Sequence, residues 1–172
     1  VQAKFDLQKL RWLNAAHIMK RSAADLLPLI KSQLVAGSVP LSGVSDEFLL
    51  RLIDLYKIRL KTLRDFVEMT DCFFRDDFAV DGEGKKKYLD KPENIENIRL
   101  LADRLEALVS FSPAELEAAC RQLADERGLK AAGLIHPARL AISGKTSGAG
   151  LFEMMELLGK EKVLRRLRGV AP

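Results

Sequence analysis

The residues best suited to binding chemistry lie close together near the end of this 172-residue chain. Residues 139–150, RLAISGKTSGAG, combine one arginine and one lysine with three hydroxyl side chains and three glycines. Arg and Lys side chains donate hydrogen bonds to anionic groups, and Gly144, Gly148 and Gly150 let the backbone turn and approach a ligand closely. This stretch is therefore the first candidate for a binding loop.

The positive charge of the chain is concentrated in the same region. From Leu129 to the end there are eight Lys and Arg residues against three Glu residues, a net charge of +5, whereas the whole chain carries +4. No carboxylate side chain occurs between Leu129 and Leu151. This asymmetry favours contact with a polyanion, and a solvated basic tail is the alternative explanation.

The sequence offers no recognisable set of catalytic or metal-binding residues. The GKT of residues 144–146 lacks the upstream glycine of a phosphate-binding P-loop, because residues 139–143 are RLAIS. The two histidines and two cysteines have no metal-ligand spacing, and no GxSxG motif supplies a nucleophile. We therefore predict a binding module with no catalytic residue, metal or cofactor of its own.

The composition favours a helical, cytoplasmic protein. Hydrophobic residues make up 48% of the chain, enough for a buried core, and abundant Leu, Ala, Lys and Glu favour helices. Cys72 and Cys120 are far apart, which indicates reduced thiols rather than a disulfide framework. No stretch has the apolar length of a membrane span or of a signal peptide, so we expect no membrane contact.

The first half of the chain shows three helical patterns. A mostly apolar stripe through Leu7 and Leu10 predicts a helix over residues 5–21, and a second helix is predicted over 23–36, where Pro28 is tolerable only in the first turn. Ser45 can cap a third helix whose apolar positions continue through Leu60 and Leu63. That helix would place Arg59 at the border of its apolar stripe.

The second half is predicted to begin after a loop over residues 70–94, with Lys85, Lys86 and Lys87 at its tip. Helices are then predicted over 93–109 and over 113–127, the latter with Ser112 as N-cap and Gly128 as the C-terminal stop. The last helical unit is expected to open at Pro137, and Gly159 is expected to break its final helix.

Three segments of the chain carry a resemblance to a known family. The opening FDLQKLRWLN has the pattern F-D-x-x-K-L-x-W-x-N. The segment RLKTLRDF, from Arg59 to Phe66, resembles R-x-x-T-L-x-E-F. The end of the chain resembles P-L-R-x-A-L-T-G followed by G-L-F-E and L-L-G-K-E-R-x-L-x-R-L. In this order and spacing they are similar to the C-terminal, anticodon-binding region of bacterial glutamyl-tRNA synthetases, class I aminoacyl-tRNA synthetases. Ala138, Ser143 and Ala149 depart from the residues that this family prefers.

The resemblance implies a fold and a domain organisation. The fold would be all-α, with two packed helical subdomains of the anticodon-binding cage type. Residues 1–22 would end a preceding stem-contact region, residues 23–75 would form the first anticodon-binding subdomain, and residues 76–172 the second. The catalytic signatures of the family are absent, so ATP and Mg²⁺ would bind to a catalytic domain outside this sequence, and this chain alone would not be an enzyme.

The resemblance also implies roles for individual residues. Arg59 would contact the third anticodon base and Arg139 the first two, with Gly148 and Leu151 in the loop that packs on those bases. Arg59, Arg139 and Leu151 would face a common cleft. Lys145, Lys160, Arg165 and Arg166 are candidate phosphate contacts, which add affinity without choosing a sequence.

The implied function is selection of tRNA(Glu) through its anticodon arm for an attached domain that joins glutamate to the tRNA in an ATP-dependent reaction. The expected partners are that catalytic half and, as a candidate, a protein of a transamidation system, and the expected state is a monomer. Two alternatives stay open at this point. The module could bind protein instead of RNA, or it could belong to a paralogue that charges tRNA(Gln) with glutamate.

Overall fold

The structure, a computed structural model, describes residues 6–170. These residues form helices joined by short connections and contain no strand, which confirms the all-α prediction. Contacts between residues divide the chain into a first unit that ends at Phe74 and a second that begins at Arg75. The assignment of residues 1–22, 23–75 and 76–172 to separate functional regions stays a prediction, and residues 1–5 and 171–172 lie outside the described part.

Within residues 6–74, the first unit contains four α-helices and one short 3₁₀ segment. They are α1 (Leu7–Lys20), α2 (Ala23–Ala36), α3 (Asp46–Tyr56), the 3₁₀ segment Lys57–Arg59 and α4 (Leu63–Phe74). Helix α2 packs against α3 and α4. Tyr56 is fully buried between these helices and makes edge-to-face contacts with Phe66 and Phe73, at centroid distances of 6.4 and 6.0 Å.

Helix α1 buries little of its apolar surface. Asp6 caps it by accepting hydrogen bonds from the backbone N–H groups of Gln8 and Lys9, at 2.9 and 3.1 Å. Ile18 is the buried residue of this helix, whereas Leu7 is 61% and Trp12 is 70% exposed. The helix predicted over residues 5–21 is confirmed over Leu7–Lys20, and the apolar side chains of Leu7 and Leu10 on it face solvent.

Two local predictions in the first unit are corrected. Pro28 lies at the sixth residue of α2, beyond the first turn, and it is exposed, so water can reach the carbonyl group that its missing N–H leaves without a helical donor. The helix that begins after Ser45 does not continue through Leu63. It ends at Tyr56, passes through the 3₁₀ segment to an extended Leu60, and a new helix starts at Leu63.

The described part of the second unit, residues 75–170, is built from six α-helices and a π-helical segment. They are α5 (Gly82–Gly84), the π segment Lys85–Leu89, α6 (Pro92–Glu106), α7 (Pro113–Glu126), α8 (Ala132–Ser143), α9 (Leu151–Leu158) and α10 (Lys160–Arg168). Helix α6 packs against α8 and α10, and α7 packs against α9. The largest fully buried side chains of this core include Ile98, Leu101 and Leu105 on α6.

The cap residues of the second unit follow the prediction, and two other boundaries do not. Ser112 caps α7 and the chain leaves this helix through Gly128, whose φ of 65° is left-handed. Helix α8 begins at Ala132, five residues before Pro137, which lies inside it. The predicted continuous loop over 70–94 is wrong, because residues 70–74 end α4, residues 82–89 are helical and α6 begins at Pro92.

Candidate nucleic-acid interface

Arg139 joins helix α8 to the glycine-rich segment that follows it. Its half-buried side chain donates a hydrogen bond from Nη1 to the carbonyl oxygen of Ala149, 2.6 Å away, and the same nitrogen lies 3.5 Å from Sδ of Met154 on α9. These contacts hold the guanidinium group in one pose beside residues 148–150. Packing of this kind limits the conformational entropy that binding a ligand would cost.

The glycine-rich segment, residues 144–150, is fixed at its start by a helix cap. Gly144 ends α8 with a left-handed φ of 71°, and a Cβ there would overlap the carbonyl oxygen of Ala79. The backbone N–H of Asp81 donates to the carbonyl oxygen of Gly144 at 2.8 Å. Ser143 adds a local turn, because its Oγ donates to the carbonyl oxygen of Arg139 and accepts from the N–H of Lys145.

The structure places Gly148 next to Arg139 and places Leu151 in the core. A Cβ at the exposed Gly148 would lie 3.6 Å from Nη1 of Arg139, an ordinary contact distance. Leu151 begins α9 and is 3% exposed, so it anchors the end of the segment in the core of the second unit. The roles of both residues in binding bases stay predictions.

Arg59 ends the 3₁₀ segment of the first unit. Its half-buried guanidinium group donates from Nη1 to the carbonyl oxygen of Leu55, 3.1 Å away, at the end of α3. The prediction that Arg59 lies within a continuous helix is wrong, because Arg59 lies in a turn between helices α3 and α4. Arg59 belongs to the first unit and Arg139 to the second, and their common cleft stays a prediction.

The RLKTLRDF motif around Arg59 has a structural explanation. Oγ1 of Thr62 accepts from the backbone N–H of Asp65 at 3.3 Å, and the Asp65 carboxylate accepts from the N–H of Thr62 at 2.9 Å, which is a capping box at the start of α4. Asp65 also accepts from the N–H of Lys61, and Phe66 enters the core. The motif thus sets the turn that carries Arg59.

The Asp65 carboxyl group has a lowered pKa. Its partial burial raises the pKa. This effect is outweighed by hydrogen bonds from the Thr62 side chain and from the backbone N–H groups of Thr62 and Lys61, together with the charge of Arg11. The carboxylate form is therefore the one that the fold stabilises at this turn.

The four candidate phosphate contacts lie in different surroundings. Lys145 is half-buried, and Nζ of Lys160 donates to the carbonyl oxygen of Leu108 at 2.8 Å. Arg165 is exposed and lies 2.8 Å from a carboxylate oxygen of Asp76. The role of each in phosphate contact stays a prediction.

Arg166 has a different environment, since its side chain is 7% exposed. It donates to the backbone carbonyl oxygens of Ile142 and Arg75, at 2.7 and 2.9 Å, and to the Asp76 carboxylate at 2.9 Å. Its guanidinium carbon lies 4.6 Å from the ring centroid of Phe78. These contacts favour a structural role, in which Arg166 ties residues 75–78 to the end of α8.

Sequence reasoning missed an aromatic pair beside this segment. Tyr88 and His136 stack with ring centroids 5.6 Å apart and an interplanar angle of 21°. His136 is three residues before Arg139 on α8, so the two side chains are neighbours on one helix face. The available signal was the histidine at this helical spacing together with the tyrosine that directly follows three lysines.

Within residues 6–170, the structure offers neither a metal site nor a membrane-spanning helix. No three His, Cys, Asp or Glu side chains within residues 6–170 come together as they would around a metal ion. Across the same residues, every helix is too short or too polar to span a bilayer. Burial raises the pKa of the Cys120 thiol to about 11, so this buried cysteine is protonated at neutral pH.

Comparisons with known proteins agree with the sequence resemblance. Residues 21–171 match a family described as an anticodon binding domain. The glutamate–tRNA ligase 2 of Caldicellulosiruptor saccharolyticus is 35% identical over 165 residues, which cover 96% of this chain and 34% of that protein. The glutamate–tRNA ligase of Bacillus licheniformis is 36% identical over 171 residues, with coverages of 98% and 35%.

A solved structure is similar over nearly the whole chain. The crystal structure of a glutamate tRNA ligase from Elizabethkingia meningosepticum in complex with its amino acid has a TM-score of 0.86 and 27% sequence identity, covering 99% of this chain and 33% of that one. The chain thus spans about one third of the length of the relatives it matches. Because the family match extends over residues 21–171 and nearly the whole fold is shared, this chain belongs to the anticodon-binding domain family of glutamate–tRNA ligases.

Proposed function

We propose that this chain recognises the anticodon loop of tRNA(Glu) as part of a glutamate–tRNA ligase. The observation that carries the proposal is the position of Arg139, whose guanidinium group is held against the backbone of the glycine-rich segment beside Gly148. Family membership supports it, and so does the net charge of +5 from Leu129 to the end.

The chemistry of the two arginines suits unpaired bases. Proteins recognise RNA sequence mainly in single-stranded loops, where base edges and faces are accessible. A guanidinium group presents planar, charged donors that can bind two acceptors at once. Arg139 would use this geometry on the first two anticodon bases, and Arg59 would use it on the third.

The third base distinguishes the tRNAs for Glu and Gln, which carry cytosine and guanine there. The pairing edge of cytosine presents two adjacent acceptors, O2 and N3, beside its N4 amino donor, whereas that of guanine presents one acceptor and two donors. In our proposal Arg59 meets this pairing edge and therefore favours cytosine, which makes tRNA(Glu) rather than tRNA(Gln) the proposed substrate.

The proposed ligase chemistry lies elsewhere in the parent protein. ATP and Mg²⁺ would bind to its catalytic half, which would attach glutamate to the tRNA in the cytoplasm, and the parent enzyme would act as a monomer. The exposed apolar side chains of α1, including Leu7 and Trp12, fit a helix that packs against this other part of the protein.

A binding titration tests the proposal. Fluorescence anisotropy would compare tRNA(Glu) with variants substituted singly at each anticodon position, at several salt concentrations. We expect affinity to fall with each substitution and to fall steeply as salt rises. Equal affinity for tRNA(Glu) and all three variants would contradict the proposal.

The same titration addresses the alternatives. A module from a paralogue that charges tRNA(Gln) would prefer guanine at the third position. A protein-interaction module would show no response to RNA at any salt concentration. A candidate transamidation partner is tested separately, by mixing the chain with that protein in the absence of tRNA.

A further inference from the structure

The three-lysine run that sequence analysis expected at a loop tip lies instead in a π-helical segment, Lys85–Leu89. The backbone N–H of Asp90 closes this turn on the carbonyl oxygen of Lys85, five residues earlier, at 3.0 Å. Single π-helical turns are rare and frequently occur at functional sites. This segment therefore needs an explanation beyond solubility.

The π-helical segment is attached to the glycine-rich segment that carries the proposed base contacts. Gly84, which directly precedes it, is buried against Thr146, and a Cβ at Gly84 would approach the Thr146 methyl carbon to 2.6 Å. Asp81 and Gly144 are joined by the backbone hydrogen bond of 2.8 Å. A Cβ at position 84 would force the Thr146 or Asp81 side chain to shift, so glycine suits this close packing.

A shallow depression opens on this side of the second unit. It has a volume of about 630 Å³, and its walls include Lys86, Lys87, Tyr88 and Thr146. Tyr88 is half-buried, stacked on His136, and the ammonium group of Lys87 lies 5.1 Å from the centroid of its ring. A cationic edge thus adjoins an aromatic pair, and His136 connects this pair to Arg139 along one face of α8.

We propose that this surface, Lys86, Lys87, Tyr88 and His136, is a second contact with the tRNA, which extends the binding site from the anticodon bases to a neighbouring nucleotide. The inference rests on the proposed function. The Tyr88–His136 pair stacks with an unpaired base, and Lys86 and Lys87 bind the phosphates that flank it.

The strengths of the competing contacts favour this assignment. Stacking of a base on an aromatic side chain is stronger than an exposed cation–π contact, so a base can displace Lys87 from the Tyr88 ring. The released ammonium group then lies within reach of the phosphate of the same nucleotide. Every base has a flat face, so this contact adds affinity with little choice of sequence.

The carboxylates of the depression do not oppose the proposal. Asp81 accepts a hydrogen bond from the N–H of Gly84 at 2.5 Å, which fixes its side chain at the start of α5. Glu83 lies 3.2 Å from Nζ of Lys86, and both side chains are largely exposed. An exposed ion pair of this kind is weak, so Lys86 can exchange Glu83 for a phosphate.

Salt-dependent titration tests the lysines. The double variant Lys86→Ala, Lys87→Ala should make the plot of log association constant against log salt concentration shallower, by about 1.5 in slope. Each lost phosphate contact removes about 0.7 to 0.9 from the magnitude of the slope. The matched control Arg121→Ala, Lys130→Ala removes the same charge from exposed positions of the second unit and should keep the wild-type slope. The proposal is overturned if wild type binds tRNA(Glu) and both double variants keep its slope.

Two substitutions of the tyrosine test the stacking. Tyr88→Phe keeps the flat ring and should bind tRNA(Glu) as wild type does, whereas Tyr88→Leu should lose about tenfold in affinity with an unchanged salt slope. If Tyr88→Leu fails to fold, His136→Ala against His136→Phe makes the same comparison. Equal affinity of the apolar and aromatic variants would remove the stacking contact.

A spectroscopic signal distinguishes direct contact from a structural role. In a Trp12→Phe background, the variant Tyr88→Trp carries the single tryptophan of the chain at this surface. Stacking with a base should quench its fluorescence on addition of tRNA(Glu), and unchanged fluorescence at saturating tRNA would overturn the proposal. If wild type binds no tRNA at all, the proposed function fails first and this inference fails with it.

Discussion

Nη1 of Arg139 donates a hydrogen bond of 2.6 Å to the carbonyl oxygen of Ala149, ten residues further along the chain. This bond closes the glycine-rich segment back on helix α8. It makes one side chain both the proposed base contact and a support of the segment around it. Binding and loop geometry are therefore coupled through Arg139.

Replacement of this arginine should affect binding more than folding. We expect Arg139→Gln to lower the affinity for tRNA(Glu) by about 10- to 100-fold, which corresponds to the loss of hydrogen bonds from a charged group. Anisotropy at fixed salt measures this effect. Arg121→Gln, on the exposed face of α7 beside Glu117, is the control and should bind as wild type. Unchanged affinity of Arg139→Gln would remove Arg139 from the binding site.

Arg59→Gln should change selectivity more than affinity. A glutamine presents one donor group and one acceptor, so it can pair with either cytosine or guanine, and the preference for tRNA(Glu) over a third-base variant should fall by about tenfold. The ratio of the two dissociation constants is the measured quantity. Arg64→Gln is the control within the same motif. Arg64 is exposed, and its one described ion pair, with Glu68 at 3.6 Å, is also exposed and therefore weak. An unchanged ratio for Arg59→Gln would contradict the assignment.

Sequence patterns predicted the elements whose ends are set by local residues. Ser112 and Gly128 bound α7 as expected because a cap depends on a few neighbouring residues. The break after Tyr56 was missed because Leu60 and Leu63 keep the apolar spacing of the preceding helix through the turn. The Thr62–Asp65 capping box was the signal that a new helix begins there.

The parts of the site that depend on distant residues could not be predicted. Arg166 belongs to a basic tail that looks solvated in sequence, but Asp76 and the Arg75 carbonyl, about 90 residues away, bind it in the folded chain. Tyr88 and His136 stack on each other although they are far apart in the sequence, and no helical or strand periodicity relates positions at that separation. Local patterns carry no information about such contacts.

The capping box at α4 should give stability that depends on pH. Asp65→Asn should destabilise the chain by about 1 kcal/mol at pH 7, the usual cost of losing such a cap. The pKa of Asp65 is lowered from 3.8, so its contribution is present above that value and is lost as the pH falls through the folded pKa. Urea denaturation of both proteins should therefore show a difference at pH 7 that disappears in strong acid. A difference that persists there would show that the charge of Asp65 is not responsible.

The neighbouring arginines of α10 provide a matched pair of substitutions. Arg166→Ala leaves the carbonyl groups of Ile142 and Arg75 without this donor and should cost about 2–4 kcal/mol of stability. Arg165→Ala removes an exposed ion pair with Asp76 and should cost about 0–1 kcal/mol. Thermal unfolding measures both, and similar costs would contradict the structural role of Arg166.

If Arg165 binds a phosphate, Arg165→Ala should also reduce the salt slope of tRNA binding by about 1.

The exposed tryptophan of α1 should matter only in the longer protein. Trp12 is 70% exposed, so Trp12→Ser should change the stability of the isolated chain by no more than about 0.5 kcal/mol. If α1 packs against the remainder of the ligase, the same substitution in the full-length protein should lose about 1–3 kcal/mol of stability, because a large apolar side chain is buried there. Val109→Ser, at another exposed apolar position, should be neutral in both settings. Equal melting temperatures of wild type and Trp12→Ser in the full-length protein would show that this face of α1 stays in water.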